Sequence, residues 1–555
     1  FLRTGLLLLL ALVFTAGLTF ATVELPRLLD GFLQNTVSTP GGDSHADTAA
    51  RLRTELFMAH YHVRTVGYVA FFLLLALIAA GFATGRTGLA ALGAVGVMLP
   101  VFAQFASVMF FLAGLGLLNA IWLPVLDVSW RLQDLGQVID APADAIGWLL
   151  GRAGIQPFWP TSLLFIAGGL LVFLLGTYAW LSARARGRAV ADSLVYRWSR
   201  HPQYLGWILW TYGAYLLLRR MQYPRRSWGI GASLPWLIST LVIIGVALIE
   251  ELNMRRRYGT EYETYRRRAP FLLPLPRIVT RLLSLPSRLL FRTERPERKR
   301  EVVAVLAVWG VLMVATSAVL QAGGVRGALL RFAPPERRAA AAREVIDHAM
   351  EAEGRRRYLL LTRAVPHGEA AVGPLVELLQ GGDVATRVYA AEVLEQLRSE
   401  ASVPALCAAL SDPEENVRYR SSLALGAIAA PSSIACQLPL LDDPANHIRL
   451  VVLGNLAALS DERILDRVPE FLSAAEPWTR SGGLSALAAL GSERGVPLVA
   501  AHLEDEAVPV RRDAVIALLR IGSPAARPAL ERAVADPDRE VRIYATEALK
   551  RLPAR

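Results

Sequence analysis

Cysteine and histidine are scarce in this sequence, which limits the metal and disulfide chemistry that it can support. The 555 residues include 2 cysteines and 8 histidines. Cys407 and Cys436 have no CxxC pair or metal-ligand partner nearby, so we expect neither a disulfide framework nor a structural zinc site. His60, His62 and His45 are metal-ligand candidates, but residues two apart do not share a helix face. We therefore interpret these histidines as interfacial residues and predict no metal site.

Several catalytic and nucleotide-binding motifs are also absent. The sequence contains no P-loop, GxGxxG, HExxH or GxSxG arrangement. This removes sequence support for a P-loop nucleotide site, a Rossmann dinucleotide site, a zinc peptidase and a serine hydrolase.

Apolar residues, in contrast, make up 54% of the chain, which is too many for a purely soluble protein of this length. The formal net charge is +11. Arginines cluster beside apolar stretches, a pattern typical of residues that flank membrane spans. Examples are Arg184, Arg186, Arg188, Arg197 and Arg200. The charge therefore indicates membrane lipids as partners rather than nucleic acid.

Apolar stretches long enough to cross a bilayer predict about seven transmembrane helices. They lie near 5–23, 66–83, 89–118, 161–181, 203–218, 233–249 and 302–320. We interpret the first as a retained span, with a signal peptide as the alternative. The third contains Pro100 and is either one kinked helix or two half-spans.

The distribution of Lys and Arg predicts the orientation of these spans. Segments 182–200 and 250–300 have the densest positive charge and should face the cytoplasm of a prokaryotic inner membrane. Arg225 and Arg226, in the turn before the span at 233–249, are an exception, because the order of the spans puts this positively charged turn on the opposite side of the membrane. The last span then places the C-terminal domain outside the cytoplasm, unless an odd number of spans is miscounted. The basic stretch up to Arg300 is expected to be an amphipathic helix on anionic headgroups or a solvated linker.

The C-terminal part is a repeat with a period of 31 residues. Its clearest marker is a set of equally spaced arginines: Arg387, Arg418, Arg449, Arg480, Arg511 and Arg542. Asp-Pro pairs precede several of them, as at Asp443-Pro444 and Asp536-Pro537. From about 382 to 553 the sequence is similar to HEAT repeats of the phycobilin-lyase-like kind, and 335–381 should add degenerate capping units.

The repeat arginines and aspartates are expected to form a structural ladder between neighbouring repeats. One repeat departs from the pattern, with Ala474 and Ala475 where Asp-Pro is expected. Stacked two-helix repeats build a continuous core and expose a long helical face. We therefore predict that the solenoid binds a protein partner.

Two segments place ionisable residues at the ends of predicted spans, where a charge needs a partner or a function. The first is the run from Arg200 to Gly206, Arg-His-Pro-Gln-Tyr-Leu-Gly, and the second is the pair Glu250-Glu251. Pro202 suits the first turn of a helix, whose positive end favours an anionic group. An antiparallel helical hairpin would put both segments on the same face of the membrane.

These segments resemble the isoprenylcysteine carboxyl methyltransferase and phospholipid methyltransferase superfamily. The resemblance covers about residues 160–275 and includes Arg200, His201, Pro202, Tyr204, Gly206, Glu250, Glu251, Gly259, Glu261, Tyr262, Tyr265 and Pro270. Leu194-Val195-Tyr196 stands where the family usually has Gly-Pro-Tyr.

The resemblance implies an integral-membrane methyltransferase that uses S-adenosylmethionine and acts on a lipid, prenyl or other hydrophobic acceptor. The implied cofactor-binding residues are Arg200, His201, Tyr204, Gly206, Glu250, Glu251, Tyr262 and Tyr265. Arg200 and His201 are expected to hold the cofactor's carboxylate, and Glu250 or Glu251 its ammonium group. No catalytic residue is implied.

Three alternatives remain open at this point. A His-Glu network could simply tie two helices together. The segment from Trp198 to Tyr204 is also similar to the Arg-His-Pro-Asn-Tyr segment of steroid-reductase-like membrane oxidoreductases. A degenerate methyltransferase fold could serve as the membrane anchor of a larger complex.

The sequence as a whole predicts an all-α protein, in which a polytopic transmembrane bundle precedes an α-solenoid. The expected divisions are N-terminal membrane helices at 1–160, a methyltransferase-like core at 161–276, a basic linker with the last membrane helix at 277–334, and the solenoid at 335–555.

Overall fold

A computed structural model describes the fold of residues 2–36, 55–56, 58–109, 117–156, 158–188, 190–220, 232–321 and 334–553. Across these residues the chain forms helices and no strand, which confirms the all-α prediction. The chain divides into two compact units. The membrane unit comprises Phe1–Thr39 and His62–Gln321, and the repeat unit comprises Pro40–Tyr61 and Ala322–Arg555.

The α-helices of the membrane unit are α1 (Leu2–Thr36), α2 (Val63–Thr84), α3 (Thr87–Met109), α4 (Leu123–Leu126), α5 (Ala141–Arg152), α6 (Phe158–Ala185), α7 (Pro202–Arg220), α8 (Ser233–Arg268), α9 (Arg277–Leu283), α10 (Leu285–Phe291) and α11 (Lys299–Gln321). Its short 3-10 helices are Leu117–Trp122, Trp130–Asp134, Gln137–Asp140 and Leu194–Arg197.

Five helices within the described ranges are long and apolar enough to cross a membrane. They are Arg3–Pro26, Val63–Thr84, Trp159–Ala185, Ser233–Arg268 and Lys299–Gln321. The sequence predicted about seven, and the difference lies in α3 and α7. In α3 the apolar stretch that is described, Thr87–Phe102, is shorter than a full span, and the side chains that follow it lie outside the described residues. The turn after α7, with Arg225 and Arg226, lies outside the described residues.

Helix α7 differs from its neighbours because protein surrounds it. Residues 210–218 are all buried. On α1, α2, α6 and α11, by contrast, many large apolar side chains are exposed, including Phe14, Phe72, Leu164 and Val311. Exposed apolar surface along long helices suits contact with lipid tails. Helix α7 therefore belongs to the core of the membrane unit, and the flanking helices form its lipid-facing surface.

The basic segment after α8 forms the two short helices α9 and α10. Ile278 on α9 and Leu289 on α10 are 70% and 78% exposed, beside Arg281 and Arg288. Apolar and basic side chains exposed on the same short helices suit a position on anionic lipid headgroups. The interfacial position of this segment stays a prediction.

The α-helices of the repeat unit are α12 (Pro335–Met350), α13 (Gly354–Leu361), α14 (Val372–Gly381), α15 (Val384–Leu397), α16 (Val403–Ala409), α17 (Glu415–Ile428), α18 (Ile434–Gln437), α19 (Asn446–Ala458), α20 (Val468–Leu472), α21 (Pro477–Leu490), α22 (Val496–Ala500), α23 (Val508–Ile521), α24 (Arg527–Ala533) and α25 (Arg539–Arg551). Long and short helices alternate through the repeats and share one hydrophobic core, which runs from Ala342 to Leu552. The predicted C-terminal α-solenoid is confirmed.

Arginine and aspartate side chains form the expected ladder between repeats at four places. In each rung an arginine donates from Nε and Nη2 to both carboxylate oxygens of the aspartate 25 residues later. The rungs are Arg387 to Asp412 (2.8 and 3.0 Å), Arg418 to Asp443 (2.8 and 3.3 Å), Arg480 to Asp505 (2.8 and 2.8 Å) and Arg511 to Asp536 (2.9 and 3.1 Å). Each aspartate also accepts a backbone N–H two residues later. The fork geometry suits a strong pairing.

At Arg449 the prediction of a ladder contact is wrong. Position 474, where the aspartate would stand, is alanine. Arg449 Nη2 instead donates to Asn446 Oδ1 at 3.3 Å. Its Nε is buried and has no hydrogen-bond partner. Arg449 thus keeps the 31-residue spacing of the repeat arginines, although the aspartate that would pair with it is missing.

The two cysteines form a disulfide, so the expectation that they would not pair is wrong. Cys407 lies in α16 and Cys436 in α18, with their Cα atoms 5.6 Å apart. They are 29 residues apart, close to one repeat period. Stacking places equivalent short helices of adjacent repeats side by side, which a search for CxxC spacing cannot detect.

Residues 55–56 and 58–61, here called the cap segment, pack on the repeat unit. Leu56 is fully buried and belongs to the repeat core. His60 Nδ1 lies 3.1 Å from Glu547 Oε1, and Arg539 donates to the Tyr61 hydroxyl at 3.2 Å. Glu547 and Arg539 both belong to α25. The cap segment therefore covers the last helix of the solenoid.

Candidate functional site

Close packing of α6 against α7 positions the start of α7. A Cβ atom on Gly206 would lie 2.6 Å from the backbone nitrogen of Phe173, and one on Gly169 would lie 2.3 Å from that of Trp210. Small residues allow helix backbones to approach closely in membranes. The structure therefore gives Gly206, a predicted cofactor residue, a role in helix packing.

Arg200 and Glu251, one from each predicted motif, form a buried ion pair. Arg200 Nε lies 2.5 Å from Glu251 Oε1, and the two side chains are only 2% and 5% exposed. The other carboxylate oxygen lies 3.5 Å from Arg266 Nε. A buried carboxylate needs such partners, because an unpaired charge there is strongly destabilising. The two motifs thus meet, as the hairpin arrangement predicted.

Arg200 also closes the end of α8. The helix breaks at Gly259, where φ is 50° and ψ is −122°, a conformation that favours glycine. Arg200 Nη1 donates to the carbonyls of Ala269 at 2.6 Å and Arg266 at 3.1 Å. Its backbone N–H donates to the Pro270 carbonyl at 2.9 Å. Carbonyls at a helix end lack intrahelical donors. The side chain and the backbone N–H of Arg200 supply donors here, and they connect the segment before α7 to the end of α8.

His201 lies beside the ion pair and keeps one ring nitrogen without a hydrogen bond. Its Nε2 is 3.5 Å from Glu251 Oε1, and its side chain is 9% exposed. That nitrogen is buried and has no hydrogen-bond partner. The ring packs edge to face on Phe271 and stacks on Tyr204. His201 is therefore held in place by two aromatic rings, with its Nε2 at ion-pair distance from Glu251.

The second glutamate has a different partner. The Tyr204 hydroxyl donates to Glu250 Oε1 at 2.7 Å, which links α7 to α8 a second time. Glu250 is only partly buried, whereas Glu251 is buried. The two neighbouring glutamates thus have separate environments, and Glu250 is the more accessible one.

Tyr262 and Tyr265, two further residues of the family resemblance, pack behind these groups. The Tyr265 hydroxyl donates to the Tyr196 carbonyl at 2.9 Å, and Tyr262 is buried with its ring 6.1 Å from that of Tyr265. Tyr196 hydrogen-bonds to Gln203 at 2.9 Å. Burial raises the pKa of Tyr196 to about 12 despite this hydrogen bond, so its hydroxyl stays protonated at neutral pH.

An open cavity of about 460 Å³ lies beside this network. Its lining residues are Arg255, Glu263, Arg266, Arg267, Thr293, Glu294, Arg295 and Glu297. Glu263 pairs with Arg255 at 2.5 Å and with Arg266 at 3.0 Å. Partial burial and the charges of Arg200 and Arg266 lower the pKa of Arg295. Positive charge thus gathers on the side that adjoins Glu251.

None of the eight predicted cofactor residues lines this cavity. Arg266 connects the two regions, because it lines the cavity and approaches Glu251. In the sequence, Arg255, Arg266 and Arg267 contributed only to the positive charge of segment 250–300, from which we predicted its side of the membrane. The available signal for a cavity was that Arg255 lies about one turn from both the Glu-Glu pair and the Gly259 break, and that Arg266 and Arg267 lie about two turns beyond that break. No feature of the sequence pointed to Thr293 or Arg295 as residues of a cavity.

Two family models match parts of the chain. A model described as HEAT repeats matches residues 372–457, 437–520 and 466–550. A model described as a protein family of unknown function, DUF1295, matches residues 180–269. The second match covers the end of α6 and all of α7 and α8, so it includes the motif residues of the candidate site.

The similarity to curated proteins is limited. The chain is 39% identical to deoxyhypusine hydroxylase of Bos taurus over 132 residues, which are 22% of this chain and 43% of that protein. It is 43% identical to deoxyhypusine hydroxylase of Homo sapiens over 84 residues, which are 15% of this chain and 28% of that protein. The chain thus spans less than half the length of these relatives.

Solved structures give only weak similarity. One engineered protein is 21% identical with a TM-score of 0.28, covering 33% of this chain and 96% of that chain. Human deoxyhypusine hydroxylase in complex with glycerol is 20% identical with a TM-score of 0.20, covering 39% of this chain and 96% of that chain. At these scores the likeness carries no argument. From its helices and its family match, the chain joins long apolar helices, which are consistent with a membrane protein, to a C-terminal HEAT-repeat solenoid.

Proposed function

We propose that the membrane unit is an S-adenosylmethionine-dependent methyltransferase with a hydrophobic acceptor, and that the repeat unit docks a protein partner. One observation supports the proposal most directly. The two motif segments meet through Arg200 with Glu251 and Tyr204 with Glu250, and a cavity lies beside them.

The cavity has the size and the charges for the amino-acid end of this cofactor. A volume of about 460 Å³ falls in the usual range of ligand pockets, roughly 300–1,000 Å³. A zwitterionic group needs donors for its carboxylate and acceptors for its ammonium. The lining supplies both, with four arginines and three glutamates. This donor set fits the cofactor.

The residues would act by binding and orientation rather than by covalent chemistry. When bound, the cofactor supplies an electrophilic methyl group. Arg266, which lines the cavity, would hold the cofactor's carboxylate. Glu250, the more accessible glutamate, would face the cofactor's positively charged groups. The Arg200 and Glu251 pair would keep α7 and α8 in place around them. Holding reactants in line and excluding water accounts for much of the barrier reduction in such transfers.

Calorimetric titration of the purified full chain in detergent tests this proposal. We expect S-adenosylmethionine and its demethylated product to bind the wild type. Arg267→Ala should weaken binding about tenfold or more, because Arg267 lines the cavity and a charged contact is worth about 1.5–3 kcal/mol. Arg268→Ala is the matched control, since this exposed neighbour does not line the cavity. Absence of binding by a folded wild type would refute the proposal.

A second candidate is a steroid-reductase-like oxidoreductase. The DUF1295 match over 180–269 fits this alternative, and four arginines around one cavity suit the phosphate groups of a reduced nicotinamide cofactor. The same titration with NADPH distinguishes the two. Binding of NADPH without S-adenosylmethionine would favour the reductase. If the folded protein binds neither, the membrane unit is better explained as an anchor for the repeats.

A further inference from the structure

The arginine ladder contains one open rung, which serves as an internal comparison with the four complete ones. In the complete rungs the aspartate side chains are 5–12% exposed and pair with arginine through two hydrogen bonds. Between Arg449 and Ala474 no carboxylate is available. The methyl group of Ala474 cannot pair with the guanidinium, although Ala474 occupies the same repeat position as the rung aspartates.

The surroundings of Arg449 do not replace the missing carboxylate. Asn446, which accepts its weak hydrogen bond, also donates to Thr479 Oγ1 at 3.0 Å. The Arg449 guanidinium carbon lies 5.9 Å from the ring centre of Phe471. The nearby Asp442 already pairs with Arg467 at 2.6 Å. Arg449 Nε consequently remains buried without a hydrogen-bond partner, which is costly for a polar group.

The residues that flank the open rung are accessible. Ala475, Glu476 and Pro477 are exposed, and Trp478, in the first turn of α21, is 47% exposed. Tryptophan and arginine are the residues most enriched at the energetic centres of protein interfaces. The open rung thus combines an arginine that lacks a carboxylate with a loop that leads, four residues after Ala474, to an exposed tryptophan, so it offers both electrostatic and apolar binding capacity.

We propose that the open rung, formed by Arg449, Ala474 and Trp478, is a docking point for an acidic protein segment. An Asp or Glu side chain of the partner enters the space left by Ala474 and completes the fork with Arg449, and a neighbouring apolar residue of the partner packs on Trp478. The complementarity of charge selects a carboxylate, and the other rungs show the geometry that it takes. This inference rests on the proposed docking role of the repeat unit and is independent of the chemistry of the membrane unit.

Filling the rung from within the chain provides the sharpest test. In Ala474→Asp the new carboxylate should pair with Arg449 and accept the Glu476 backbone N–H, as the other rung aspartates do. We expect a higher melting temperature for the repeat unit and a loss of docking. Ala475→Asp adds the same charge at the next, exposed position and should change neither property. A rise in melting temperature also shows that lost docking does not come from misfolding.

The probe is a fluorescent peptide with the sequence of residues 535–540, Ala-Asp-Pro-Asp-Arg-Glu, which contains a natural rung aspartate. Fluorescence anisotropy with the full chain in detergent should show saturable binding to wild type. Ala474→Asp, Arg449→Ala and Trp478→Ala should each weaken it at least tenfold, and Ala475→Asp should not. A peptide with Asn in place of its first Asp should bind at least tenfold more weakly than the original.

Three outcomes would overturn the inference. One is absence of saturable binding to the wild type up to millimolar peptide. Another is equal binding by wild type and Ala474→Asp. The third is an Ala474→Asp protein that is no more stable than wild type, because the space at 474 would then be unable to accept a carboxylate in rung geometry.

Discussion

Single residues in the repeat unit differ in importance even when they occupy the same register position. Arg418 has a carboxylate partner at 2.8 Å, and its side chain and that of Asp443 are 14% and 5% exposed. Arg449 has no carboxylate partner and one hydrogen bond of 3.3 Å. The contribution of a repeat arginine therefore depends on the residue 25 positions later and not on the arginine itself.

This difference predicts unequal effects of the same substitution. Arg418→Ala should lower the free energy of unfolding of the repeat unit by about 1–3 kcal/mol, because it leaves a buried aspartate without its charged donor. Arg449→Ala should cost less than about 1 kcal/mol. Thermal unfolding of the two full-length variants, followed by circular dichroism, measures the difference. Equal losses would show that the aspartate pairing is not what stabilises the rungs.

The adjacent glutamates of the candidate site should also differ. Glu251→Gln removes the charge that Arg200 and Arg266 share, so we expect a loss of about 3–5 kcal/mol in the stability of the membrane unit. Glu250→Gln keeps an oxygen that can accept from Tyr204 and should leave stability nearly unchanged. Melting of both variants in one detergent measures this. A destabilised Glu250→Gln and an unaffected Glu251→Gln would contradict the assignment.

At the scale of the elements, the cap segment predicts a connection between a membrane loop and the stability of the solenoid. Leu56 is fully buried in the repeat core, and the ends of solenoids need cover for their last apolar face. Leu56→Ala should destabilise the repeat unit by about 2–4 kcal/mol. Glu55→Ala is the matched control, since Glu55 is exposed. Hydrogen exchange of α25 in the full chain reports the effect, and unchanged protection in Leu56→Ala would mean that the segment is no cap.

Elements with strong periodicity could be predicted, whereas those that depend on long-range contacts could not. The repeats were visible because one arginine recurs every 31 residues. The meeting of Arg200 with Glu251 followed from a hairpin of two helices. The docking of Leu56 could not be predicted, because its partners lie hundreds of residues away. The same holds for Cys407 and Cys436, which only the stacking of repeats brings together.

Helix α7 shows a different limit of the sequence. Its apolar residues predicted a span at 203–218, but a helix inside a bundle and a helix in lipid are both apolar. The distinction lies in which neighbours surround it, and that depends on close packing at Gly206 and Gly169. The cavity was missed for a related reason. Its arginines come from α8 and from the segment after α10, which are adjacent only in the folded chain.

At the scale of the whole molecule, the order of the helices determines on which side of the membrane the repeats lie. The cap segment follows α1 in the chain and belongs to the repeat unit, so we predict that the repeats lie on the side of the membrane that α1 reaches. In chain order, α11 lies between the repeats and the Arg-rich end of α8, which the charge distribution predicts to be cytoplasmic. The disulfide between Cys407 and Cys436 is typical of an oxidising compartment. On these grounds we predict an extracytoplasmic solenoid.

Thiol labelling of sealed, right-side-out membrane vesicles tests this placement. The native cysteines should not react with a membrane-impermeant maleimide until an impermeant reductant is added, and should then react without permeabilisation. A variant with Cys407→Ser, Cys436→Ser and Arg268→Cys is the control, because its thiol at the end of α8 should react only after permeabilisation. Removing the disulfide, which closes a loop of about 30 residues, should also cost about 3–4 kcal/mol of repeat stability. If the native thiols are protected and the Arg268→Cys thiol is accessible, the orientation is reversed, and a disulfide in a reducing cytoplasm would then need its own explanation.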